Sequence, residues 1–388
     1  MNAIAIDPAL VRKVRRFGKF DVGACLNCGG CTVDCTLSTG LAAFPRKTMR
    51  YVHFGLASAL GASLDPWLCH FCGSCSDICP REAEPAESMM TLRRYLISRY
   101  DFTGIAERLY TSSARRIAAN AIVALLVVAL VLYYHLKIVG LGLSDLVSTP
   151  MGMEHMFGII TYFTVALFVI PAVLLISGAA AMHRATMGAE GRKVPLSAYA
   201  AEFGTMIVHG FTQRRLAEEG DRNAWIRHLS LFAGFTVMSV IVLFFLRWFQ
   251  TDKLYPIWNP QRWLGYLATA ALLYGSVGAI VGRANGRERM HRHSDIGDWT
   301  LPILILAVAL SGIAVHVLRY AGLELPAHFS FLIHMMFVAP LLLIELPFGK
   351  LSHMVYRPLA IWFQAAKERA YGPQAYGPRD AGEGTTNG

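Results

Sequence analysis

From residue 118 onward six mostly apolar stretches follow one another, at roughly 118–137, 154–182, 226–249, 263–282, 299–320 and 328–352. Each is about as long as the ~20 residues a helix needs to cross a hydrocarbon core of ~30 Å. In lipid every backbone N–H and C=O has to find its partner within the protein, and a run of this length does so as a helix. The expected fold is therefore all-α. A small helical domain of residues 1–110 precedes a six-helix transmembrane bundle of residues 111–357. A tail of residues 358–388 follows, largely disordered, whose Gly-rich polar part begins near Tyr371. Composition agrees, with 54% apolar and only 16% charged residues, a balance unusual for a soluble domain.

Loop charge orients the bundle. Arg184, Arg192, Lys193, Arg214, Arg215, Arg222 and Arg227 lie between or beside the second and third stretches, and Arg283, Arg287, Arg289 and Arg292 lie between the fourth and fifth. The opposite loops hold only a few cations, such as Lys137, Lys253 and Arg262. The positive-inside rule then places the first set, the N-terminal domain and the C-terminus in the cytoplasm. It also accounts for the net charge of +10 without a nucleic-acid partner. The basic opening MNAIAIDPALVRKVRRFGKF has no continuous apolar core and no small-residue cleavage site, so no secretory signal is expected.

All eight cysteines fall between Cys25 and Cys79. In a compartment that keeps thiols reduced, such clustering points to metal ligation rather than disulfides. Cys25, Cys28, Cys31 and Cys35 repeat the spacing of Cys69, Cys72, Cys75 and Cys79, C-x2-C-x2-C-x3-C, with Pro80 after the second run and Thr36 after the first. This is the spacing of bacterial ferredoxins. Three thiolates of one tight loop cap three corners of an iron–sulfur cube, and the fourth, on a following helix, reaches a neighbouring cluster. The crossed assignment is Cys25, Cys28, Cys31 and Cys79 for one 4Fe-4S cluster, and Cys69, Cys72, Cys75 and Cys35 for the other. Structural zinc, which favours separated C-x2-C pairs, is the weaker alternative.

Ionisable groups inside a span are costly, so His135, His155, His228, His316, His334 and His353 call for a reason. Haem iron is one, because imidazole ligates it and a helix bundle can enclose it. On one continuous helix His334 and His353 would stand on the order of 28 Å apart and about 100° apart around the axis, a mismatch that kinks at Pro340 and Pro347 can realign. By depth His228 matches His353 on the cytoplasmic side, while His155, His316 and, at the margin, His135 lie at the level of His334. Interhelical hydrogen bonding or an interfacial position is the alternative for each, foremost for His135. His183, His209, His291 and His293 fall in basic loops and are expected to be solvated. Glu345 either carries a quinone proton, pairs with Lys350, since Arg247 falls at the other face, or snorkels to the interface.

CLNCGGCTVDC, FPRKTMR, DPWLCHFCGSCSDICPREAEPAE and LRRYLISRY together resemble the C-type subunit of heterodisulfide reductase. The spans that follow resemble its cytochrome b partner, itself similar to the gamma subunit of respiratory nitrate reductase. The fused arrangement is similar to the membrane subunit of the quinone-interacting membrane-bound oxidoreductase of sulfur-metabolising bacteria. PFGKLSHMVYRP, from Pro347 to Pro358, resembles the nitrate reductase gamma segment that carries a haem ligand, which supports His353; against that pattern His334 is one residue out of register. IRHLSLFAGF around His228 resembles the helix with the facing ligand, and the second histidine expected along it is Met238 here. The second ligand of the outer haem stays open between His155, His316 and a methionine.

The resemblance implies two 4Fe-4S clusters, b-type haem with two sites expected, and a place in the bacterial cytoplasmic membrane. It also implies soluble flavin and iron–sulfur partner subunits, with electrons passing between adenylylsulfate reductase and a menaquinone or ubiquinone pool. No residue pattern suggests a hydride or acyl-transfer catalyst. The expected activity is that of a subunit of a quinone-linked oxidoreductase, with little catalysis of its own. Two other readings stand beside it: the membrane subunit of a heterodisulfide reductase-like thiol/disulfide enzyme, and a docking anchor without a quinone site.

Overall fold

A computed structural model describes residues 5–38, 43–140, 142, 157–188, 193–219, 222–249, 251, 253–286 and 293–372. Among the described residues all regular structure is helical. Two compact units do not follow the linear order of the chain: Met1–Thr111, Ile176–Gly220 and His353–Gly388 form one, Ser112–Leu175 and Asp221–Ser352 the other.

The first unit is organised by the helix Pro85–Tyr100. Pro85 enters at its first position, where a missing N–H costs nothing and φ is already helical. Met89, Leu92 and Leu96 are fully buried, and the helix packs on Leu10–Arg15 and Arg46–His53. Polar groups carried inward find partners: Thr91 Oγ1 donates to the Lys19 carbonyl at 2.7 Å and Arg94 Nη1 to that of Phe17 at 3.2 Å. Between the cysteine motifs, buried Asp65 accepts from Thr48 Oγ1 at 3.2 Å and pairs with Lys47 at 3.0 Å, so its charge is compensated.

Two helices of this unit lie where the sequence suggests irregular chain. Leu196–Thr212 occupies the basic segment between the second and third spans, and His353–Tyr371 runs through the segment expected as a tail from residue 358. The reason lies in spacing: Tyr356, Ala360, Phe363 and Ala366 recur on one buried face. The two helices pack together, with Trp362 Nε1 donating to the Tyr199 carbonyl at 2.9 Å and Arg369 pairing with Glu202 at 2.9 Å.

The second unit carries the membrane-spanning helices except for the part of one from Ile176 onward, which belongs to the first. Among the described residues six helices are long and apolar enough to cross a bilayer: Ser113–Val139, Thr161–Met187, Arg222–Phe244, Pro260–Asn285, Ile296–Tyr320 and Glu324–Phe348. Arg222–Phe244 packs on Pro260–Asn285, which packs on Ile296–Tyr320, then Glu324–Pro340, then Ser113–Tyr133. The first contact depends on glycine: a Cβ on Gly234 would stand 2.8 Å from the Ala268 carbonyl, and one on Gly275 2.7 Å from Leu231 Cβ. Small residues permit such close approach in lipid, where packing replaces the hydrophobic drive.

The last span is not one continuous helix. Glu324–Pro340 passes into a π-helical turn, Leu341–Glu345, then Leu346–Phe348, and ends at Gly349, whose backbone is extended. Pro347 lacks the N–H that would sustain the ladder. A 3-10 turn, Lys350–Ser352, leads to the separate helix that His353 opens. His334 and His353 therefore stand on different helices and in different units, and the single-helix separation does not apply.

Candidate cofactor sites

The two cysteine motifs share one backbone. Asn27 and Phe71, each one residue before the second cysteine, take φ of 57° and 59°, and Gly29 and Gly73, each one residue after it, take φ of 91° and 86°. Only glycine adopts the latter freely. The reversal starts the short helices Gly30–Asp34 and Ser74–Asp77, which carry the third cysteine of each motif. The motifs differ in depth: Cys69 and Cys75 are buried, whereas no thiol of the first run is.

Burial pushes the Cys31 thiol up, and Cys25, Cys28 and Cys79 add to the shift. Burial likewise pushes Cys75 up, with Cys69, Cys72, Cys35 and Cys31 adding. Each third cysteine thus feels the fourth cysteine of the other motif. Iron binding would favour the thiolate that burial disfavours.

Around the second motif the surroundings are cationic. Burial pushes the Cys69 thiol up, and Arg93, the Phe71 N–H and Arg357 oppose it. Half-buried Arg93 donates to the carbonyls of Pro66 at 2.6 Å, of Trp67 at 3.4 Å and of Cys69. Arg357, on the helix that His353 opens, donates to His70 Nδ1 at 2.8 Å. One residue before it, Tyr356 packs its ring 5.1 Å from Trp67 and 5.6 Å from Tyr100. Sequence reasoning misses both arginines, because nothing in their local pattern marks them.

In the second unit, five of the spans line a cavity of about 600 Å³, well within the ~300–1,000 Å³ of cofactor pockets. His334, His316 and Met238 all line it, with Tyr266, Arg262 and Arg319 toward one end of the helices. Ser311 Oγ donates to the Ala307 carbonyl at 2.6 Å and lies 3.0 Å from His334 Nδ1. A hydroxyl has one proton, so Nδ1–H is the donor to Ser311 and the neutral ring keeps its lone pair on Nε2. His316 is held differently, with Nε2 3.1 Å from the Tyr266 hydroxyl. Arg262 has two buried guanidinium nitrogens, Nε and Nη2, without a hydrogen-bond partner. His228 is half-buried in Arg222–Phe244, and His155 lies outside the described residues.

His135 is buried within the π-helical turn Tyr134–Val139. Its Nδ1 donates to the Val131 carbonyl at 2.8 Å, its Nε2 is buried without a partner, and the His328 ring stands edge-on at 5.8 Å. Glu345 pairs with Arg116 and not with Lys350: two hydrogen bonds of 2.7 and 3.0 Å join the groups, both nearly fully buried. Lys350 pairs with Asp298 at 2.6 Å instead. The π-helical turn ending at Glu345 changes the register at which it leaves the helix, a shift that spacing along an ideal helix does not foresee.

Residues 24–84 match the 4Fe-4S dicluster domain family. The chain is 30% identical over 94 residues, 24% of its length and 50% of the relative's, to a protein of Archaeoglobus profundus that is like the C-type subunit of heterodisulfide reductase. It is 33% identical over 96 residues, 23% and 51% of the two chains, to a C-type iron–sulfur subunit of the CoB–CoM heterodisulfide reductase of Methanocaldococcus jannaschii. The C-type subunit of the ferredoxin:CoB–CoM heterodisulfide reductase of Methanosarcina mazei is 29% identical over 85 residues, 22% of this chain and 52% of that one. The chain spans about half the length of the curated relatives it matches. No solved structure matches it. The chain carries a 4Fe-4S dicluster domain similar to the C-type subunits of heterodisulfide reductases, together with six helices, among the described residues, long and apolar enough to span a membrane.

Proposed function

We propose that the chain relays electrons between a cytoplasmic flavin and iron–sulfur partner complex, linked to adenylylsulfate reductase, and the quinone pool, using two 4Fe-4S clusters and b-type haem. Cys25, Cys28, Cys31 and Cys79 hold one cluster, and Cys69, Cys72, Cys75 and Cys35 the other. The influence of Cys79 on Cys31 and of Cys35 on Cys75 supports this crossed set. The observation that carries the membrane half is the bundle cavity. It combines an imidazole with its lone pair on Nε2, a second histidine and a methionine, apolar walls, and an arginine with two unsatisfied buried donors.

Those residues fit haem b. His334 supplies one ligand, Met238 or His316 the other, and Arg262 a partner for a propionate, with Ser311 fixing the His334 ring as an outer-shell acceptor. The tie between His316 and Tyr266 makes Met238 the freer of the two. His228 and His353 are the proposed ligands of a second haem nearer the basic loops. Iron–sulfur clusters and haem supply one-electron exchange when bound; the chain supplies ligands, burial and fixed charge, which set the potentials.

A reduced-minus-oxidised spectrum of the purified chain, with pyridine haemochrome and iron quantitation before and after a menaquinol analogue, tests the reading. Two b haems reduced by the quinol are expected; a chain with full iron–sulfur content and no haem refutes the membrane half. The named relatives favour a second reading, a thiol/disulfide enzyme whose cytoplasmic partners bring the active site. Disulfide reduction by the whole complex separates the two.

A further inference from the structure

An amphipathic helix at a protein surface ordinarily turns its apolar side inward. Leu196–Thr212 buries Ala198 and packs Tyr199 on Trp362 and Phe363, yet it also leaves a second apolar side facing outward. Its inward side is engaged through Tyr199, whose carbonyl accepts from Trp362, and Glu202, which accepts from Arg369 and Thr205. Gly210 brings the backbone against Pro358. On the other side Leu196, Ala200, Ile207 and Phe211 recur at helical spacing, with Phe203 at the edge of the stripe, where its ring also meets that of Trp362 at 5.8 Å. Leu196 is 85% exposed, Phe203 48% and Phe211 57%, with Val208 beside them at 48%. A continuous apolar stripe of this kind marks a contact surface.

We propose that this helix is a membrane-surface helix, lying along the bilayer with the stripe in the acyl boundary of the leaflet on the side of the basic loops. Chain continuity argues for lipid. Residues 188–195 join the helix to the span ending at Met187, and residues 213–221 join it to the span beginning at Arg222. At ~3.3–3.6 Å per residue neither link lets the helix stray beyond roughly 30 Å from a span end. Exposed Lys193 and Arg214 flank it, placed to meet anionic headgroups. Its carboxylate, Glu202, already pairs with Arg369. The stripe offers no hydrogen-bonding side chain, whereas a protein interface carries about one hydrogen bond per 100–200 Å². With 17 residues the helix is shorter than the ~20 needed to cross, so it lies along the surface.

The test places p-benzoylphenylalanine at 203, 207 or 211 of the full chain, and at 205 on the inward side. Irradiation is carried out in membranes of the expressing cells and in vesicles of phosphatidylethanolamine and phosphatidylglycerol. Phospholipid adducts at 203, 207 and 211 in both settings, and their loss at 205, are expected. Capture of another polypeptide by the stripe positions in cell membranes, or lipid adducts no more frequent there than at 205, overturns the proposal. Should the larger side chain at 207 prevent assembly, positions 203 and 211, where ring replaces ring, still decide.

Discussion

In the cysteine loops each thiol is set by its nearest neighbours in sequence: Asn27 and Gly29 shape the first loop, Phe71 and Gly73 the second, with closely similar φ angles. In the bundle cavity, by contrast, the His334 ring is held by Ser311 of the preceding helix, and the walls come from five spans. One site is written locally and twice; the other exists only after the spans have packed. Damage to a loop ligand should therefore be large and confined, and damage to the bundle should spread from side chains far from any ligand.

The largest effect is expected at the loops. Cys72→Ala should halve the iron and acid-labile sulfide of the purified chain. On the proposed crossed assignment, Cys35→Ala should remove the same electron paramagnetic resonance signal as Cys72→Ala, although Cys35 sits in the other loop, while Cys79→Ala should remove the other. If Cys35→Ala and Cys28→Ala delete the same signal, each run holds its own cluster and the crossed set fails.

In the bundle the counterpart is Arg116→Met, far in sequence from every proposed ligand. It strands the Glu345 carboxylate, which is fully buried, and removing one partner of such a pair costs ~3–5 kcal/mol. The melting temperature in detergent should fall while cluster content holds. Arg116→Met with Glu345→Leu should recover most of the loss. Recovery that fails would mean the pair is more than a compensated charge. A smaller effect is expected for Ser311→Ala, which frees the His334 ring: loss of an outer-shell partner costs about 10–100-fold in ligand affinity, read as haem dissociation during dilution.

The same contrast explains what is legible in the sequence. Six spans and two cysteine motifs are periodic or contiguous patterns, and the structure carries both where the sequence puts them. The partner of Glu345 is not legible, because a π-helical turn breaks the period on which its facing is reckoned. Leu196–Thr212 reads as a basic loop although its apolar stripe has helical spacing, because the charges at its ends dominate the pattern. Arg116, Arg262 and Arg357 look like ordinary loop or span-end cations until distant segments are brought to them.

Arg357 gives the smallest effect and the finest test, because it joins a local site to a remote residue. Arginine only donates, so His70 Nδ1 accepts from it at 2.8 Å and the neutral ring keeps its proton on Nε2. A guanidinium held there attracts the extra electron of a reduced cluster on the Cys69 loop, and burial limits the screening of that field. Arg357→Met should lower the midpoint potential of the cluster proposed for Cys69, Cys72, Cys75 and Cys35 by tens of millivolts in a potentiometric titration, and leave the other unmoved. His353 precedes Arg357 by one helical turn, roughly 6 Å along the axis, so the same contact brings a proposed haem ligand close to this loop. Equal shifts in both clusters would mean that the substitution loosens the domain as a whole, and that the second loop is no more closely tied to the remote helix than the first.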